Sequence, residues 1–487
     1  MLQFPRLPVG YFVLVLLFLT TQVTISGTPT SQDTTPSPDK KAESQKTKAS
    51  KKKKKTVGQL PYFVISPSAT SNTISAPVTV QSVEVSPSTT TKSAPVIERT
   101  SKPGLVQPAV VAGELVISEF RVRGPNGAND EFIEIANVSG ADLTVAGGGT
   151  GYAVAASNGV ARCVIPNGTV IPNRGHYLCT NSVGYTLASY PAGNGTTATG
   201  DATYTTDIPD NAGIAIFNTS IAADFNLANR IDAVGSTSEA NILYKEGTGY
   251  PALVPFSIDY SFYRDNCGKG GSITTFGQCP TNGNLKDTNN NAADFVFVDT
   301  NGTSAGAGQR LGAPGPENLS SPIERNGSFS VNLLDICVAA PSPPNRVRDF
   351  TSDPPNNSTF GTLDIRRTVV NNTGGNVTRL RFRVVDLTTF PAPSGIADLR
   401  PRTSTAVVVT VDRPPCGSGT SNVTVQGTTL EQPASQPNGG GFNSSMSAGV
   451  VTLATPIANG ASVDVRFLLG IQQTGSFRFF INVEALP

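Results

Sequence analysis

The chain has 487 residues, with 48 glycines, 37 prolines and 15% charged residues, a composition that suits a loop-rich β protein better than a helical one. Its length predicts two or three domains, and its net charge is +1. One histidine and the lack of any CxxC motif argue against a zinc site and nearly exclude histidine-based nucleases and metallohydrolases.

Residues 1–27 have the pattern of an export signal. Arg6 supplies a small basic region, the apolar run GYFVLVLLFL spans 10–19, and small residues precede a cleavage point near Gly27. An uncleaved membrane anchor is the alternative, although the apolar run is short for a span. No later segment is long and apolar enough to cross a bilayer, so we expect a secreted or envelope protein.

Residues 28–112 predict a disordered tether rich in Ser, Thr, Pro and Lys. Residues 28–105 carry a surplus of seven positive charges, so the chain from Val106 onward carries about −7. The lysines at 51–55 have two interpretations. They bind an anionic surface such as lipid, polysaccharide or nucleic acid, or they only keep the tether extended and soluble.

Residues 113–318 change to short apolar segments between Gly/Asn/Asp/Pro turns, which predicts a β-sandwich. Alternating apolar and polar residues flank a turn in LVISEFRVRGPNGANDEFIEI (115–135), the signal of neighbouring β-strands. The predicted strands are Leu115–Arg121, Glu131–Asn137, Tyr152–Ala156, Tyr177–Thr180, Gly213–Phe217 and Arg230–Val234.

The order of several short motifs over this region resembles the lamin tail domain family. The motifs are LVISEF (115–120), DEFIEIAN (130–137), ADL (141–143), PNGTVIPNRGHYLCT (166–180), DNAG (210–213), RIDAVG (230–235), SFYR (261–264), DTNNNAADF (287–295) and PGPEN (314–318). The resemblance implies an immunoglobulin-like β-sandwich of the exported bacterial branch, and a docking role for protein partners. The chain departs from the family by lacking a tryptophan after the first strand pair, where glycines 147–149 stand.

Residues 322–487 predict a second β-sandwich of about eight strands. Apolar residues alternate with polar ones at 379–384, 463–469 and 477–483. Further strands are predicted at Phe329–Leu333, Leu363–Val370, Ala406–Val411, Asn422–Gln426 and Val450–Ala454. Five arginines either solvate an exposed sheet face, the preferred interpretation, or form an anion-binding stripe: Arg366, Arg367, Arg379, Arg381 and Arg383.

Six cysteines in an exported chain favour disulfides, whose connectivity the sequence leaves open. Pairing of nearest neighbours gives Cys163–Cys179, Cys267–Cys279 and Cys337–Cys416.

The candidates for acid–base chemistry are few. His176 is the only histidine, and its setting in PNRGHYLCT predicts an edge-strand position rather than a catalytic one. Glu131 and Glu134 flank two apolar residues of one strand, so their side chains are expected on opposite faces and not in one cleft.

Asp287, Asn289 and Asn291 have the spacing of oxygen ligands in a calcium loop, with Asp294 nearby. Ala292 and Val298 stand where an EF-hand has its glycine and its bidentate glutamate. An Asx-rich turn that closes the sandwich is the preferred alternative.

The sequence therefore predicts an exported, all-β, non-catalytic binding protein, with no cofactor unless the calcium site exists. Its partner is an unidentified protein or envelope polymer. An accessory module of a surface hydrolase or nuclease system, and a structural envelope or matrix component, are the alternative functions.

Overall fold

The computed structural model describes residues 112–253, 257–266, 284–301, 310–390, 394–431 and 441–487. The predicted signal peptide (1–27) and all but the last residue of the predicted tether (28–112) lie outside these ranges, as do Cys267 and Cys279. Within the described ranges, no helix has the length and apolar character needed to span a membrane. The described residues belong to one compact unit.

The described residues are almost entirely strands and turns, which confirms the all-β prediction. In chain order the strands are β1 (Leu115–Arg121), β2 (Phe132–Asn137), β3 (Leu143–Thr144), β4 (Gly151–Ala156), β5 (Ala161–Pro166), β6 (Val170–Ile171), β7 (His176–Asn181), β8 (Ala202–Tyr204), β9 (Ile214–Phe217), β10 (Arg230–Val234), β11 (Tyr260–Arg264), β12 (Phe295–Asp299), β13 (Ile323–Glu324), β14 (Phe329–Leu333), β15 (Arg346–Asp349), β16 (Thr362–Asn371), β17 (Arg379–Leu387), β18 (Asp398–Arg402), β19 (Val407–Asp412), β20 (Thr420–Val425), β21 (Thr429–Leu430), β22 (Ser445–Ser447), β23 (Ser462–Gln473) and β24 (Phe479–Leu486).

Helical structure among these residues is limited to single turns. One α-helical turn, α1, spans Asn291–Asp294, and 3₁₀ turns span Leu187–Ser189, Ala222–Asp224, Ile242–Tyr244, Asn326–Ser328 and Pro354–Asn356.

The N-terminal sandwich packs a six-stranded sheet, in the order β12-β11-β1-β2-β7-β8, against a four-stranded sheet, β10-β9-β4-β5. Leu115, Ile117 and Phe120 of β1 enter the core between them. A register shift against β2 between Ile117 and Glu119 explains this spacing. The extra residue of a bulge moves the inward-facing set from odd to even positions.

The C-terminal sandwich packs β13-β24-β17-β22-β21 against β14-β16-β23-β18, with β15 paired to β16. Leu380, Phe382 and Val384 of β17 enter its core, as the alternation in the sequence predicts. The Phe382 ring meets Phe467 of β23 edge-on, at a centroid distance of 4.9 Å. The two sandwiches therefore have separate apolar cores.

Several strand predictions are confirmed. Leu115–Arg121, Arg230–Val234 and Phe329–Leu333 coincide with β1, β10 and β14. The strand predicted at Val450–Ala454 is wrong, because Thr452 and Thr455 bond to each other's backbone and close a tight turn there. A β-branched composition raises strand propensity, but the local turn decided the conformation.

Two cysteine pairs lie at disulfide distance. Cys163–Cys179 joins the two sheets of the N-terminal sandwich, with a Cα–Cα distance of 6.3 Å. Cys337–Cys416 ties the β14–β15 connection to the turn between β19 and β20, with a Cα–Cα distance of 5.6 Å. Both are nearest-neighbour pairs, and disulfides are typical of an oxidising compartment.

Candidate functional site

A layer of buried charged side chains lies where the two sandwiches meet. It joins the outer face of β2 and β7 to the outer face of β17 and β24, and the connecting segment between the sandwiches adds one carboxylate. We call this group the ionic layer: Glu134, His176, Glu317, Arg381, Arg383 and Glu484.

The alternation of β17 explains why its arginines are buried. Residues on either side of Phe382 point to the second face of the sheet, and the N-terminal sandwich covers that face. Arg381 Nη1 lies 2.6 Å from Glu317 Oε1, and Arg383 Nη2 lies 3.0 Å from the same oxygen. Arg383 Nε also lies 2.9 Å from Glu484 Oε1, so each buried cation has a carboxylate partner.

The ionic layer shifts the pKa values of its acids in opposite directions. Burial raises the pKa of Glu317, but the positive charges of Arg383, His176 and Arg381 outweigh burial and hold it at about 2. Burial and the neighbouring Glu317 charge raise the pKa of Glu484 to about 8. Glu317 is therefore the principal counter-charge of the arginines.

His176 occupies the first position of β7, with its side chain 14% exposed. Its Nδ1 lies 3.3 Å from Glu317 Oε2, and its Nε2 lies 3.8 Å from Glu134 Oε1. Burial lowers the pKa of the imidazole. The cavity beside it measures about 50 Å³, which is small against the roughly 300–1,000 Å³ of a site for a drug-sized ligand. As a whole β7 is not an edge strand, because it lies between β2 and β8, but β8 pairs only with residues 179–181 and His176 is paired on the β2 side alone.

Glu134, His176 and Glu317 are also close enough to hold a metal ion, because one ligand atom of each lies within 4.8 Å of the others. Glu131 takes no part in this group. Its carboxylate accepts hydrogen bonds from Asn181 Nδ2 and the Ile208 N–H, away from Glu134. The two acids thus occupy different surroundings, as the strand period predicts.

The prediction that the arginines solvate an exposed sheet face is wrong. Arg366 and Arg367 belong to β16, and the other three belong to β17 in the opposite sheet, so the five form no stripe. Arg367, Arg381 and Arg383 are buried. The alternation of the sequence predicts that each strand has an apolar face and a polar face. It does not indicate which part of the chain covers the polar face.

A second set of carboxylates, the acidic cluster, brings Asp232 and Glu246 to Asp287, with ligand oxygens within 4.8 Å of one another. Arg264 is the central cation. Its Nη2 lies 2.7 Å from Asp232 Oδ2, and its Nη1 lies 3.5 Å from Asp287 Oδ1. Burial raises the pKa of Glu246 to about 8, and the charges of Asp232 and Asp287 add to that rise.

The predicted calcium loop contributes only Asp287 to the acidic cluster. Asp294 accepts hydrogen bonds from the N–H groups of Thr288 and Asn290, and Asn291 Oδ1 accepts from those of Gly235 and Glu246. The Asn289 side chain is exposed. These bonds are those of an Asx-rich turn, and calcium binding by Asp287, Asn289, Asn291 and Asp294 stays a prediction.

The C-terminal sandwich has a larger opening, of about 270 Å³, at one end of its core. We call it the apolar cavity. Five apolar side chains form its floor: Leu363, Ala397, Leu399, Ile471 and Phe477. Arg346 and Arg348 of β15 lie at its rim, and among the described residues no acidic residue, histidine or cysteine lines it. Sequence reasoning missed this site, because its residues come from four separate segments.

Comparison with known protein families, curated proteins and solved structures finds no match to this chain.

Proposed function

We propose that this chain is an exported, non-catalytic binding protein that presents two joined β-sandwiches to an extracellular or envelope partner. The observation that carries the proposal is that, within the part of the chain that the structure describes, the single histidine and the larger cavity lie apart. His176 and its carboxylate neighbours lie in the ionic layer beside a cavity of about 50 Å³, whereas the cavity of about 270 Å³ has an apolar floor.

Acid–base catalysis requires the base to come within hydrogen-bond distance of the reacting group. His176 lies between two carboxylates under the C-terminal sandwich, where a polymer or nucleotide has no room. The apolar cavity has the opposite character, because it can accept a ligand and its described lining residues include no carboxylate, histidine or thiol. This arrangement supports binding rather than turnover.

The lamin tail resemblance of residues 113–318 supports the same proposal, since docking is the role that the resemblance implies. Glu317 lies beside both Arg381 of β17 and His176 of β7, and Asn443 Nδ2 donates to Glu119 of β1, so a partner meets the two sandwiches as one body. The lysine-rich tether then adds a non-specific attraction for an anionic envelope surface.

A retention experiment with the full secreted chain tests the proposal. The chain is immobilised and exposed to envelope extract. The lipids, polymers and proteins that it retains are then identified by mass spectrometry. Heat-unfolded chain, treated in the same way, is the control. We expect a defined component on the folded chain alone, and the same component on His176→Gln. Hydrolysis of an added polymer or nucleic acid that disappears in His176→Gln would overturn the proposal.

A further inference from the structure

We propose that the apolar cavity binds a free single-chain anionic amphiphile, with the alkyl chain on the core floor and the anionic head at Arg346. The inference rests on the proposed binding function and names its ligand class. The head can be a carboxylate, sulfate or phosphate, because a guanidinium pairs with each of them.

The size of the cavity suits one alkyl chain. Its volume of about 270 Å³ exceeds the roughly 150 Å³ of a dry engineered cavity that binds benzene, and it falls just below the range of about 300–1,000 Å³ typical of drug-sized ligands. One short chain fits this space and a two-chain lipid does not.

The floor of the cavity belongs to the hydrophobic core itself. Leu399, Ile471 and Phe477 are buried and pack with the inward-facing residues of β16 and β23. A chain that enters here contacts the same kind of surface that a core side chain would contact. We therefore expect each added methylene to tighten binding by about fourfold until the cavity is full.

Within the described part of the chain, Arg346 is the rim charge without a matching negative one, whereas Arg348 lies beside the carboxylate of Asp349. Arg346 is half-buried, and among the described residues it makes no ion pair; its guanidinium lies 6.0 Å from the Phe477 ring centroid. Burial first, and then the charge of Arg346, lower the pKa of Arg367 to about 10. An anion at the rim would relieve this repulsion between like charges, whereas a cationic head would increase it.

Arg348 and Phe350 continue the rim outward. Arg348 donates to the carbonyl oxygens of Asp349, Thr362 and Phe360, which holds its guanidinium beside the opening. The exposed Phe350 ring lies 4.4 Å below the Arg348 guanidinium carbon. As far as the structure describes it, the mouth carries two arginines against the single acid Asp349, and its floor is apolar, which matches the polarity of an anionic amphiphile.

The test uses three probes with the same ten-carbon chain: decanoate, decanol and decyltrimethylammonium. Calorimetric titration of the full secreted chain should give decanoate the highest affinity, about tenfold above decanol, and no binding of the cation. Arg346→Gln should lower decanoate affinity about tenfold and leave decanol affinity unchanged. Arg379→Gln, on the opposite sheet, is the matched control and should change neither.

Other outcomes would overturn the inference. If decanoate and decanol bound with equal affinity, the anionic head would play no part in binding. The same conclusion would follow if wild type and Arg346→Gln bound decanoate equally well. Binding to anionic phosphatidylglycerol vesicles without binding to decanoate would assign the site to a membrane lipid instead. If none of the probes binds while the retention experiment still yields a partner, the ligand class fails and the proposed function stands. Thermal unfolding of each variant verifies that it is folded.

Discussion

The ionic layer and the apolar cavity both contain arginines that are at least half-buried. They differ in whether those arginines have carboxylate partners. Arg383 lies within 3.0 Å of carboxylate oxygens on Glu317 and Glu484. Arg346 makes no ion pair among the described residues and faces an opening instead. Removing one member of a buried ion pair is strongly destabilising because it leaves the other charge uncompensated, whereas Arg346 has no such partner to lose.

The difference assigns distinct roles to the two regions. Removing one member of the ionic layer leaves the others buried and uncompensated, so the layer is a structural joint. Removing the charge at the cavity rim leaves no partner stranded. The same substitution should therefore have very different effects at the two places.

The largest effect is expected for Arg383→Met. The apolar replacement leaves Glu317 and Glu484 with less positive charge in a buried setting, which should lower the free energy of unfolding by about 3–5 kcal/mol. Urea unfolding followed by circular dichroism measures it. Arg413→Met is the control, because its side chain is 39% exposed, and it should cost less than about 1 kcal/mol. Equal losses at both positions would contradict a structural role for the layer.

An intermediate effect is expected for Glu317→Gln, and it should depend on pH. The carboxyl pKa is lowered from 4.5 to about 2 in the folded chain. Its contribution, up to about 3 kcal/mol, is therefore present above pH 4.5 and is lost as pH falls through 2. The stability gap between wild type and Glu317→Gln should narrow over that window in denaturant titrations. The control is Asp224→Asn, because Asp224 is an exposed acid. If the stability difference between wild type and Glu317→Gln stayed constant between pH 4.5 and 2, Glu317 would not be the counter-charge of the arginines.

The smallest effect is expected for Arg346→Met. This side chain is half-buried and lacks an ion pair among the described residues, so its loss strands no carboxylate. The change in unfolding free energy should stay within about 1 kcal/mol of zero, in either direction. The same urea titration measures it. A loss that matches Arg383→Met would erase the distinction between the two regions.

Period-2 alternation made much of the fold predictable. The strands around Phe120 and Phe382 could be placed because side chains alternate between faces over short distances in the sequence. The turn at residues 452–455 was mistaken for a strand, since its bonds between Thr452 and Thr455 leave no mark in the apolar pattern. Cysteine spacing indicated Cys337–Cys416 only as one of several pairings, and the folded distance selected it.

The sequence by itself determined the all-β class, two apolar cores and the presence of a single histidine, because composition and alternation are local properties of a chain. The tertiary structure alone decided that Arg383 would be buried, that Glu134, Glu317 and Glu484 would surround it, and that a cavity would open beside Arg346. These features depend on which surface covers the second face of a sheet. Such contacts join residues far apart in the sequence, 66 positions for Glu317 and Arg383 and 101 for Arg383 and Glu484, and no periodic pattern encodes them.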